Sequence, residues 1–218
     1  MTHAVSAASK GDAVKPLHNA SAADSYADLP FLPAGGVASA KGFKACGIHA
    51  GFRADPKRLD FALVAADQPA ACAAVFTTNV FCSAPVTVSK EHLDGVGYGT
   101  ARAVAINSGI ANAATGDKGL ETARQSSGIV ADVLGCPVQE VLVASTGVIG
   151  QHLQMEPFES GAPSAVSALS VAGGADAARA IMTTDTKPKE FAVTFSGNGL
   201  GYDGCVFTVG GMAKGSGM

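Results

Sequence analysis

Apolar positions in this chain come in short runs broken by glycine, and the period of those runs changes along the sequence. Residues 43–52 alternate weakly, and 59–65, 73–77 and 85–89 are short runs rich in Val, Phe, Ala and Thr, which predicts strands. Residues 101–106 read as a buried strand that stops at Asn107-Ser108-Gly109. The period then lengthens. Over 115–134, Leu120, Ala123, Ile129, Val130 and Val133 share one helical face, and Gly135-Cys136-Pro137 ends it. A short strand, apolar after Glu140, follows at 140–144, then helices at 157–169 and 175–182. The pattern returns to strand at 191–195 and 206–209, across a glycine-rich loop. Such a mixture predicts a layered α/β or α+β arrangement. Residues 1–33 are rich in Ala, Ser and Asp without periodicity, and read as a flexible N-terminal extension to one domain at 34–218.

Composition sharpens this. Of 218 residues, 41 are Ala and 27 Gly, aromatics are 6% and Trp is absent, so the core must close on small side chains. With 47% apolar and 15% charged residues, the chain is neither disordered nor charge-driven. The formal charge of −3, without a Lys/Arg cluster, argues against a nucleic-acid partner. Five scattered cysteines show no zinc or C-x-x-C spacing, so no metal site is expected, and they read as free thiols in a reducing compartment. No run suits a signal peptide or a membrane span, which gives a cytoplasmic expectation without membrane partners.

Four short motifs could carry chemistry. Gly199-Leu200-Gly201-Tyr202-Asp203-Gly204 spells G-x-G-x-x-G, but Cys205 to Val209 after it reads as strand, so a hairpin loop is the expectation rather than a dinucleotide site. Ala144-Ser145-Thr146-Gly147-Val148-Ile149-Gly150 follows an apolar strand. Its small residues suit either an ordinary tight turn or backbone N–H groups facing an oxyanion. Thr183-Thr184-Asp185-Thr186 offers hydroxyls to a ligand, or completes the hydrogen bonding of a helix end. None of the five histidines has a partner at triad or ligand spacing. A glycine-rich loop is expected from Gly210 to Met218, with one cation, Lys214; this run reads as the join between two halves of a longer protein.

Six segments, in order, resemble one family: Lys41-Gly42-Phe43, Ala73 to Thr77, Asn107 to Ala113, Ser145 to Gly150, Ile181 to Thr186, and Gly210 to Met218. The family is that of the ornithine acetyltransferases of arginine biosynthesis (ArgJ, glutamate N-acetyltransferase). The resemblance implies an α chain cut by self-cleavage from a precursor, and an α/β/β/α-type layered fold of the N-terminal-nucleophile kind completed by the β chain. It implies two α and two β chains together, with a β-chain Thr that carries acetyl from N-acetylornithine to glutamate. Acetyl-CoA is open as a co-substrate, and no bound cofactor is implied. Thr146 (hydroxyl) and Gly147 (N–H) match the oxyanion-hole pair, while Thr183 and Lys214 match substrate-binding residues. Asn107 and Asn112 are expected to line the site. Two other readings stay open: an aminopeptidase-type hydrolase of related fold, and an inactive homologue acting as a binding subunit.

Overall fold

The computed structural model describes Leu32 and residues 34–95 and 97–215. The predicted N-terminal extension therefore falls almost wholly outside the described residues, as do the last three positions of the glycine-rich run. Ten helices and strands follow in chain order: β1 Phe43–Ile48, β2 Phe61–Ala73, α1 Ala84–His92, β3 Tyr98–Ile110, α2 Gly116–Leu134, β4 Val141–Val148, α3 Glu156–Ala168, α4 Gly174–Ala180, β5 Lys189–Ser196 and β6 Val206–Ala213.

Strands β1 to β4 form one sheet in that order; β1–β2 and β2–β3 are antiparallel and β3–β4 parallel. Strand β2 shows why both faces are covered. Phe61, Leu63 and Ala65 point to the layer of α1, α2 and α3, and Ala62 and Val64 point the opposite way. On the first face, Phe52, Phe61 and Phe158 meet edge-on or tilted, with centroids 4.7 to 5.9 Å apart. On the second face α4 lies against the sheet through Ala177 and Ala180, both fully buried. The close approach explains the small residues: a Cβ at Gly47 in β1 would run into the Asp176 carbonyl of α4. The hairpin β5–β6 is a separate two-stranded sheet. This is a mixed α/β fold, as expected.

Most predicted elements are present within a few residues. The G-x-G-x-x-G stretch lies in the β5–β6 hairpin loop, with strand after it. Three local readings change. Residues 85–89 are helical, not strand. Pro85 sits in the first turn of α1, where its missing N–H costs nothing, and Ala84, Pro85, Val88 and Ser89 are buried at helical spacing. That packing overrides the strand preference of Val86 and Val88. The run 73–77 contributes only Ala73, the last residue of β2. The expected loop from Gly210 starts later, because Gly210 and Gly211 pair with Ala192 and Phe191 inside β6. A Cβ at Gly210 would strike the Gly36 carbonyl, so glycine here serves a backbone crossing.

Candidate active site

Strand β4 has β3 on one side and helix α1 along the other. Ser89 of α1 is buried, and its Oγ accepts the Val143 N–H (2.9 Å) while donating to the Val143 carbonyl (2.8 Å). His92 Nδ1 donates to the Val141 carbonyl at 2.9 Å. Val141 and Val143 thus turn backbone groups away from β3. The Val148 carbonyl, in the opposite phase, accepts the Ala111 N–H at 2.8 Å on the β3 side. By the two-residue alternation of a strand, Ser145 and Gly147 continue the outward series. They lie beyond the N-terminal end of α1. The run 144–150 is therefore largely strand edge: β4 extends to Val148, so of the two readings open for this run the ordinary tight turn is not made at Thr146-Gly147.

Gly147 has φ of 136°, and pairs across the parallel ladder with Gly109, φ 119°. An added Cβ at Gly147 would run into the Gly109 carbonyl, so no other residue fits that backbone. These glycines open a cleft of about 780 Å³. Ser145, Thr146 and Gly147 line one wall, Thr183 and Thr184 another, and Arg53 and Lys214 supply its cations. Ala111, Ala113, Val148 and Ile149 provide apolar surface, and among the described residues no Asp or Glu side chain lines it.

The 182–185 turn is tied down from both sides. Arg53 Nη2 donates to the Met182 carbonyl (3.0 Å), and Arg58 Nη2 to the Thr183 carbonyl (3.3 Å). Asp185, whose side chain is almost wholly enclosed, accepts from Lys189 Nζ (2.6 Å), the Gly215 N–H (2.6 Å) and the Thr183 N–H (3.3 Å). Lys214 Nζ lies 3.7 Å from its other oxygen and donates to the Gly215 carbonyl at 2.9 Å. The Lys189 bond, followed by the Gly215 N–H, holds the Asp185 carboxyl well below the usual carboxylate range. Asp185 therefore joins the threonine turn to the segment carrying Lys214.

Residues 44–218 match the ArgJ family. The chain belongs to the ArgJ family. A relative from Thermosynechococcus vestitus, an arginine biosynthesis bifunctional protein ArgJ, is 47% identical over 184 residues, covering 84% of this chain and 42% of that protein. The chain thus spans about two-fifths of the length of the curated relatives it matches. Two solved structures align with it at TM-score 0.77. One is the arginine biosynthesis bifunctional protein ArgJ of Bacillus halodurans, 38% identical and covering 88% of this chain and 95% of that one. The other is the ornithine acetyltransferase of Mycobacterium tuberculosis complexed with ornithine, 40% identical and covering 86% and 95%.

Within this ArgJ-family chain the four residues singled out from sequence, Thr146, Gly147, Thr183 and Lys214, all border the one cleft. The two asparagines do not. Asn107 and Asn112 are buried; Asn107 Nδ2 donates to the Ile110 carbonyl, and Asn112 donates to the Gly119 carbonyl while accepting from Thr115 Oγ1. They brace the end of β3 and the start of α2, which corrects the expectation that they line the site. Sequence spacing also missed a carboxylate beside His49. Its Nδ1, which donates to the Arg58 carbonyl at 2.9 Å, lies 3.2 Å from Asp60 Oδ2, and Asp60 accepts the Ala50 and Arg53 N–H groups. The roles of Arg53, Ser89 and Asp185 were not visible in the sequence, since the bonds from Asp185 to Gly215, Ser89 to Val143 and Arg53 to Met182 reach across 30 to 129 residues. Among the described residues no cluster of three His, Cys, Asp or Glu is placed to hold a metal ion. None of the described helices is long and apolar enough to cross a membrane.

Proposed function

We propose that this chain is the α chain of an ornithine acetyltransferase and forms one wall of an acyl-transfer site whose nucleophile, an N-terminal Thr, belongs to a β chain from the same precursor. The observation that carries the reading is the convergence of Thr146, Gly147, Thr183 and Lys214, from three separate segments, on one cleft at the open edge of β4. The β-chain Thr hydroxyl attacks the acetyl carbonyl of N-acetylornithine, its proton passing to the free α-amino group, a base with pKa of about 7.7–8.0. The C–N bond breaks, ornithine leaves with the returned proton, and acetyl remains as a Thr ester. The glutamate amine then attacks that ester and regenerates the hydroxyl. In both tetrahedral intermediates the Thr146 hydroxyl and the outward Gly147 N–H donate to the oxyanion. The Lys214 ammonium binds the substrate α-carboxylate, and Thr183 donates to it or to the amide.

On this reading the active assembly holds two α and two β chains, with acetyl-CoA as an alternative acetyl donor. Five free thiols suit a reducing, cytoplasmic setting. The test is Thr146→Ala in the complete, cleaved enzyme. Loss of one oxyanion donor should lower kcat roughly 10²–10³-fold with the KM for N-acetylornithine little changed. An unaltered kcat would remove Thr146 from the oxyanion hole.

A further inference from the structure

Arg53 enters the cleft with its guanidinium already fixed. Its backbone N–H donates to the buried Asp60 carboxylate (2.9 Å), Nε to Ser108 Oγ (3.3 Å) and Nη2 to the Met182 carbonyl (3.0 Å). Its stem crosses Gly109, where an added Cβ would come within 3.2 Å of Arg53 Cγ, and Gly109 is the ladder partner of Gly147. The guanidinium thus sits between the end of β4 and the turn that carries Thr183. No described residue is bonded to Nη1. A planar fork held in this way is preorganised for an anion, because little rotamer entropy remains to be lost on binding.

Among the described residues the cleft is lined by two cations and by no carboxylate side chain, Asp185 lying behind Lys214 at 3.7 Å. An amino acid bound through its α-carboxylate needs only Lys214. A second fixed cation calls for a second anion, and the two substrates of the proposed reaction differ on this point. Glutamate ends in a carboxylate, whereas ornithine ends in an ammonium. We propose that Arg53 determines acceptor specificity by binding the side-chain carboxylate of the acceptor amino acid. This rests on the acyl-transfer reading above. The same charge disfavours the ornithine side chain, so Arg53 biases the acetylated enzyme toward the dicarboxylate and away from the amine just released.

The test is made in the complete enzyme with Arg53→Met. The KM for glutamate should rise roughly 10- to 100-fold, the loss expected for a charge-assisted hydrogen bond. The KM for N-acetylornithine should change several-fold less than that for glutamate, even though the tie to the Met182 carbonyl is lost as well. A purely structural role would raise both KM values together, and a parallel rise overturns the proposal. A second measurement does not depend on the variant folding: glutamine, the same shape without the charge, should be at least about tenfold poorer than glutamate as an acceptor for the wild-type enzyme. Equal use of the two would overturn the proposal as well. If wild-type enzyme transfers acetyl to no amino acid at all, the acyl-transfer reading has failed, and that outcome is seen before any variant is made.

Discussion

Ser89→Ala removes one oxygen that serves two backbone groups at once. In the wild-type protein the Val143 N–H and carbonyl both bond to Ser89 Oγ, at 2.9 and 2.8 Å, and the residue is 5% exposed. Without the hydroxyl, a buried donor and a buried acceptor lose their partner together. An unsatisfied buried group costs about 1–3 kcal/mol, so the pair should cost about 2–6 kcal/mol, at the low end if water enters. Urea unfolding of the complete enzyme would read this as a lower midpoint at unchanged slope. Ser164→Ala is the control: its Oγ makes only an exposed 3.4 Å bond within α3, and the change should stay within about 0.5 kcal/mol. A functional effect accompanies the loss. Ser89 holds the outward phase of β4 four residues before Gly147, so a slackened edge misplaces the Gly147 N–H and lowers kcat more than it raises KM. If Ser89→Ala matches the Ser164→Ala control in midpoint, the claim that α1 completes the edge of β4 is refuted.

Two further predictions concern ionisation. Because its pKa is depressed in the folded state, Asp185 contributes stability that is present above the unfolded value, about pH 4, and is lost as pH falls below it; Asp185→Asn should therefore flatten the acid limb of a urea-midpoint profile, and parallel profiles for the two proteins would refute this. Burial pushes the Cys46 thiol up to about 11, whereas Cys205 is exposed, so iodoacetamide at mildly alkaline pH should label Cys205 first and Cys46 last; equal labelling rates in native protein, read by mass spectrometry, would contradict the buried placement of Cys46.

How much of this was legible in the sequence depends on whether the signal was local. Helix α2 was, because Ala123 and Val130 recur on one face and Gly135, φ 65°, closes it in the left-handed conformation that glycine favours. Helix α1 was not: Val86 and Val88 favour strand, and only the sheet behind Val88 and Ser89 tips the balance. The site divides in the same way. Thr146 and Gly147 stood out as a motif through family resemblance, whereas composition alone favoured an ordinary turn. A glycine states only that backbone needs room. At Gly210 that room is used by the crossing of residue 36, and at Gly147 by the Gly109 carbonyl, and nothing in the letters distinguishes the two. What separates them is phase. Ser89 and His92 hold Val143 and Val141 outward on one side, and Ala111 holds Val148 inward on the other, which leaves Gly147 facing the cleft. Those three constraints come from α1 and from Ala111, just past the end of β3, all remote in sequence from β4. The direction of the Gly147 N–H, the proposed oxyanion donor, is thus specified by the neighbours that fix which way the strand edge turns as much as by the glycine itself.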